Sequence, residues 1–253
     1  PFVLEQTTPD VDPGPLDFSI LDSWRQELQW QTGDAVLLCE ANVDPAVVGR
    51  YAGSRQDGPA DRSHLLFDFV LNPRLWLALA RQDAELLIEA LRVPVVLPTG
   101  GQWATFLRNH DELDLSRLTD EQRRDVFRAF ARKPEMQLYG RGIRRRLAPM
   151  LRGDRRRMEL AYALQFSMPG TPVIRYGEEI GMGENLALPG REAIRTPMQW
   201  DDTRNAGFST ADAGDLARPV LTTGPFGSRN VNVRAQQRDP VSFLRWFENL
   251  IRT

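Results

Sequence analysis

Two carboxylates stand where short apolar runs turn polar: Glu40 in AVLLCEANV (35–43) and Asp111 in ATFLRNHDEL (104–113). In a barrel of parallel strands, the carboxyl ends of the strands converge on one mouth, where active sites sit. Two carboxylates meeting there suit glycosidic chemistry, which uses one as proton donor and acceptor and the other as its partner. Asn109 and His110 adjoin Asp111, and with Glu112 they form four consecutive hydrogen-bonding groups straight after Thr105–Leu107. Such a row is hard to place in a core and suits sugar hydroxyls. The same residues also fit helix caps or solvated strand ends, and composition alone leaves both readings open.

Other reactive groups are few. The second histidine, His64, opens an apolar run and reads as a structural histidine; neither histidine makes a metal cluster by itself. Cys39 is the only cysteine, so an internal disulfide is excluded and a cysteine-based zinc site has too few ligands. A lone thiol fits a reducing compartment such as the cytoplasm. The arginine clusters RGIRRRL (141–147) and RGDRRR (152–157) invite a phosphate-binding reading. All but one of the 32 basic residues are arginine, Lys133 being the exception, so such clusters arise readily and read better as solvated helix borders.

The elements that must position the two carboxylates follow one plan. Four runs, 35–43, 64–72, 104–113 and 171–181, are nearly continuous in apolar residues at their start, as strands buried on both faces are. Helical patterns lie between them. Asn72 and Pro73 suit the start of a single helix through 74–92, and Thr119 with Gln122 reads as a capping box for 121–131. Asp154 can cap 155–167, which runs into the Pro169–Gly170 breaker, and Asp239 with Pro240 opens a last helix over 241–252. Strand alternating with helix predicts an α/β fold with a parallel sheet. Four such units are half of an eight-stranded barrel; an open four-stranded sheet is the competing reading. Residues 181–238 break the rhythm, rich in Gly, Pro, Asn and Asp, and read as one long loop excursion.

Composition bounds the rest. The 253 residues are 42% hydrophobic and 26% charged, which is enough for a core. The formal net charge is -2, which gives no electrostatic footprint for nucleic acid or an anionic membrane. No run of eighteen apolar residues exists, so a transmembrane helix is not expected.

The motifs resemble the α-amylase superfamily of glycoside hydrolases and transglycosylases. LLCEANV looks like the strand carrying that family's acid/base glutamate, FLRNHDEL like the strand with its His-Asp pair, and PGTPVIRYGEEIGMG like its last-strand motif, with Arg175 where a tyrosine is more usual. RTPMQWDDTRNAGFS (195–209) resembles a stretch shared by family members acting on α-glucosides. GIRRRLAPML followed by DRRR points to the branch that interconverts maltose and trehalose. The resemblance implies a TIM-type (β/α)8 barrel, of which residues 1–253 would supply the C-terminal portion, strands five to eight with their helices.

It further implies that Glu40 and Asp111 are catalytic and that Asn109, His110 and Arg195 bind substrate. The family's nucleophile is an aspartate in a pattern Asp-x-x-Pro. If Pro1 is that proline, the nucleophile and strands one to four lie upstream of this sequence. PFVLE resembles a calcium segment in which Phe2, Val3 and Glu5 are ligands, and oxygen donors of this kind suit calcium. Organic cofactors, nucleic acid and membrane are not implied; maltose, trehalose and other α-glucosides are. An α-glucosidase or amylase that hydrolyses the same bond is the alternative within enzymes, and a non-catalytic carbohydrate-binding or inert half-barrel is the alternative outside them.

Overall fold

The computed structural model describes residues 16–55, 58–92 and 95–252. In chain order its helices and strands are α1 (Ser19–Thr32), β1 (Leu38–Cys39), α2 (Pro45–Ala52), β2 (Leu65–Phe67), α3 (Asn72–Arg81), α4 (Glu85–Arg92), β3 (Gln102–Thr105), β4 (Leu113–Asp114), α5 (Asp120–Phe130), β5 (Gln137–Leu138), β6 (Gly142–Ile143), α6 (Leu147–Met150), α7 (Arg155–Ser167), β7 (Thr171–Pro172), α8 (Val233–Arg238) and α9 (Phe243–Arg252). The chain divides into two compact units. The first holds residues 16–72, 87–105 and 168–172, the second 73–86, 106–167 and 173–252.

The first unit is built on the four apolar runs. Each contributes one strand, and the strands lie in the order β1-β2-β3-β7, every neighbouring pair parallel. Leu38 pairs with Leu65, Leu66 with Trp103 and Ala104 with Thr171. The central positions Leu66 and Ala104 are almost completely buried, which is why these runs lack the polar alternation of a one-sided sheet. Polar residues, Glu40 and Asp68, end β1 and β2. After Phe67 the Asp68 carboxylate accepts hydrogen bonds from the amides of Val70 and Leu71 and turns the chain. Gly170 admits the chain to β7: at φ +121° a Cβ there would lie 2.3 Å from the Trp103 carbonyl oxygen.

One face of the sheet packs on Phe18 and Leu21 and on Val48, Tyr51 and Ala52 of α2. The Asp44 side chain accepts from the Ala46 amide and Pro45 opens the helix, so α2 starts with a satisfied cap. Phe18 meets Tyr51 edge-on at 5.1 Å, and the guanidiniums of Arg50 and Arg62 lie over the Phe18 ring at 4.6 Å. His64 is structural, its Nδ1 accepting from the Leu37 amide at 2.9 Å.

The second unit has its own core. Trp76 of α3 is fully buried, donates from Nε1 to the Leu107 carbonyl and meets Phe130 edge-on. Tyr162 of α7 packs on Phe243 and Phe247 of α9. A small antiparallel sheet, β4-β6-β5, pairs Leu113 with Ile143 and Ile143 with Gln137. The capping box of α5 is present: Thr119 Oγ1 accepts from the Gln122 amide and Gln122 Oε1 accepts from the Thr119 amide. Asp154 caps α7 through the Arg157 amide.

Two helix boundaries differ from the sequence reading. The helix expected over 74–92 is two helices, because Gln82 takes a left-handed conformation and the Asp83 side chain then accepts from the Glu85 amide, starting α4 afresh. The last helix begins at Phe243, with Ser242 Oγ accepting from the Arg245 amide; Asp239 instead caps a turn through Val241. Residues 181–238 form short 3-10 turns and irregular chain ending in α8. No described helix is long and apolar enough to cross a membrane.

Candidate active site

Glu40 immediately follows β1 in the first unit, exposed, with the next residue, Ala41, buried. A strand end that turns polar at its first residue beyond the sheet presents that side chain at the carboxyl edge. The other expected site residues lie in the second unit, and four of them converge there.

Arg108 builds that cluster from below. Its guanidinium is buried and donates to the carbonyls of Arg145, Asp111 and Ile143, pinning the 108–111 loop to β6. Burial pushes its pKa down to about 10. Asn109 then sets Asp111, its Oδ1 accepting from the Asp111 amide at 3.0 Å. One Asp111 oxygen faces Arg195 Nη2 and lies 3.7 Å from His110 Nε2; the other lies 2.8 Å from Arg191 Nη1. Arg195 also donates from Nε to the His110 carbonyl at 2.8 Å. Asn109, His110, Asp111 and Arg195 are thus one assembly. A carboxylate with a guanidinium on each oxygen is a poor free nucleophile and a well-oriented hydrogen-bond acceptor.

Arg191 and Glu112 join the assembly without having been singled out as site residues from the sequence. Glu112 is buried and takes Arg191 bidentately, Oε2 at 2.6 Å from Nε and Oε1 at 3.2 Å from Nη2. Gly142 makes room for it: a Cβ there would stand 2.6 Å from Glu112 Cγ. Glu112 has a legible signal in the row NHDE. Arg191 has none, since it sits in an aperiodic stretch and its partners are 79 and 80 residues away.

Arg175, the departure from the usual tyrosine, is a buried tie. It donates to the carbonyls of Asn109 and Ile194, joining the Asp111 loop to the segment that carries Arg191 and Arg195. Burial, then the neighbouring Arg146 charge, lowers its pKa to about 10. The reading of RGIRRRL as a solvated face is corrected. Arg146 is fully buried against Glu178 and the Tyr176 carbonyl, and Arg145 pairs with buried Glu184 at 2.8 Å. Arg144 donates to the carbonyls of Leu186, Leu188 and Gly190. These arginines face inward because the 184–190 chain has few regular hydrogen bonds, and its carbonyls need donors. The expected calcium ligands Phe2, Val3 and Glu5 lie outside the described residues.

The chain is similar to proteins of the α-amylase family. The family description "Alpha amylase, catalytic domain" matches residues 143–253. Over 251 residues, 99% of the chain, it is 41% identical to the trehalose synthase/amylase TreS of Mycolicibacterium smegmatis. Over 255 residues it is 40% identical to the trehalose synthase of Pimelobacter sp.. The chain spans 42% and 44% of those two proteins. In structure it resembles the α-amylase from H. orenii, with a TM-score of 0.57 at 19% identity over 92% of this chain and 38% of that one. That likeness gives a TIM-barrel-type fold.

Proposed function

We propose that this chain supplies strands five to eight, the C-terminal half, of a catalytic (β/α)8 barrel in an enzyme that acts on α-glucosidic bonds with retention. The reaction we infer for the full-length protein is the interconversion of maltose and trehalose. One observation carries the proposal: similarity at 41% and 40% identity to trehalose synthases extends over 99% of the chain. The four parallel strands, which neighbour one another in the order they occur along the chain, support the half-barrel reading.

In this reading Glu40 protonates the leaving glycosidic oxygen and later takes a proton from the attacking hydroxyl. Asp111, oriented by Arg191 and Arg195, holds sugar hydroxyls as the ring flattens toward the transition state. Asn109, His110 and Arg195 complete those contacts. The glucosyl intermediate of a retaining mechanism forms on a further carboxylate, a role given to neither Glu40 nor Asp111. An isomerase must also keep water out while the released glucose turns, and residues 181–238 are the segment long enough to act as a cover. Hydrolysis of the same bond is the second reading, favoured by the word amylase in the name of the M. smegmatis relative.

The roles are tested in the full-length protein with maltose and an aryl α-glucoside. Glu40→Gln removes the titrating proton, and the loss on maltose should fall in the range of about 10²–10⁴-fold. The aryl glucoside, whose leaving group needs little protonation, should be partly spared in the first step. Asp111→Asn should be impaired with both. Equal losses for both variants on both substrates would show the division of labour to be wrong.

A further inference from the structure

Helix α5 and the residues that follow it read RRDVFRAFAR over 123–132. The helix buries Val126 and Phe130. Arg124, Phe127, Arg128 and Ala131, spaced i, i+3, i+4 and i+7, therefore share another face. With Arg132 and Gln137 they line a pocket of about 470 Å³, wholly within the second unit. Its walls carry three guanidiniums and no carboxylate. None of the six residues belongs to the Asp111 assembly.

Arg124, Arg128 and Arg132 are all exposed, so a ligand can reach their donors. Arg124 has no ion pair or hydrogen bond among the described residues. Arg128 meets Asp125, but that carboxylate is shared with Arg81, which it meets at 2.6 Å. Arg132 donates from Nε to the Arg128 carbonyl at 2.8 Å. That bond holds its arm against the helix end and leaves Nη1 and Nη2 without partners among the described residues. Lys133 adds nothing, because Glu135 offsets it at 3.8 Å. The local excess of positive charge thus stands out in a chain whose net charge is -2.

The kind of ligand follows from the groups present. A guanidinium fork matches the oxygens of a phosphate in geometry as well as charge. Arg124 and Arg128 are one helical turn apart, roughly 5–6 Å, which suits successive phosphates of a chain. Between them the half-buried Phe127 ring offers an apolar wall on which a base can stack. Gln137 donates from Nε2 to the Ala131 carbonyl at 2.8 Å, which turns the amide so that Oε1 is left as an acceptor for a base N–H. The volume is that of a small-molecule site, and the net charge of the chain gives no wider footprint for nucleic acid.

We propose that this pocket binds a nucleoside polyphosphate, its phosphates on Arg124, Arg128 and Arg132 and its base against Phe127 and Gln137. The site is separate from the α-glucoside reading and stands or falls without it.

The test is isothermal titration of full-length protein in EDTA with ATP and, separately, with tripolyphosphate. Both should bind saturably. Arg124→Gln combined with Arg132→Gln should weaken both about tenfold or more. Arg156→Gln combined with Arg229→Gln removes the same charge from exposed positions elsewhere and should change neither. Phe127→Leu should weaken ATP and spare tripolyphosphate. Melting curves check that each variant folds, and Arg124→Gln alone, which breaks no contact among the described residues, should weaken ATP in the same direction. The proposal is overturned if ATP does not bind saturably, if the Arg124 and Arg132 pair matches the parent or the control pair, or if Phe127→Leu leaves ATP binding unchanged. ATP binding that maltose abolishes, or a single-stranded oligonucleotide that binds more tightly than ATP, overturns it as well.

Discussion

Removing one carboxylate from the buried arginine network should be among the most damaging single changes in the second unit. Arg146 has no exposed side-chain surface, and Glu178, 4% exposed, is the anion it meets at 3.3 Å. Its Nε and Nη2 already lack partners among the described residues. Arg108 and Arg175 lie close enough for their charges to couple with Arg146, and burial has already lowered the pKa of both to about 10. Glu178→Gln keeps the shape, leaves three buried guanidiniums with one anion fewer, and weakens the bond from the Tyr162 hydroxyl at 3.1 Å. Breaking a buried pair from one side costs about 3–5 kcal/mol, whereas replacing both partners with apolar groups of similar volume is often neutral or better. Glu178→Gln should therefore lower stability by about 3 kcal/mol or more, and Glu178→Leu combined with Arg146→Met should recover most of it. Urea unfolding of the full-length protein at pH 7, followed by tryptophan fluorescence, reads both. A single-variant loss under about 1 kcal/mol, or a double variant no better than the single, would refute the reasoning.

Two further outcomes follow from local structure. Thr119→Ala removes the α5 capping box and should cost about 1 kcal/mol, read from the same unfolding curves, with no change in substrate preference. Burial raises the Glu179 pKa in the folded state above its value in the unfolded chain, so the stability linked to its proton is fully present below the unfolded value of about 4.3 and is lost as pH rises through the folded one. Glu179→Gln should accordingly melt higher than the parent near neutral pH, with the advantage shrinking toward pH 4; an advantage that grows on acidification would contradict the assignment.

What the sequence revealed was what is local or continuous. The four strands were legible because burial on both faces removes polar alternation, as around Leu66 and Ala104. The α5 cap was legible because Thr119 and Gln122 are three residues apart. Asn109, His110 and Asp111 stood out as a polar row after an apolar run, and the structure places them with Arg195 in one assembly. What stayed hidden depends on distant partners. The two-residue strands β4, β5 and β6 are too short to carry a period, and β6 is held by a bond from Arg108 to the Ile143 carbonyl. The break at Gln82 lacks the glycine that usually marks one. The α1 segment went unread because it buries little besides Leu21 and exposes Trp24 and Trp30. The inward arginines looked like a surface run because their acceptors are mostly backbone carbonyls, which no residue type announces.

The central claim is that the full-length protein moves a glucosyl group between hydroxyls of glucose. The most direct measurement is ¹³C NMR of full-length protein incubated with maltose labelled at the anomeric carbon of its non-reducing ring. The account predicts that the label appears mostly in trehalose, with minor free glucose. Label found only in free glucose would contradict it and leave the hydrolase reading in its place.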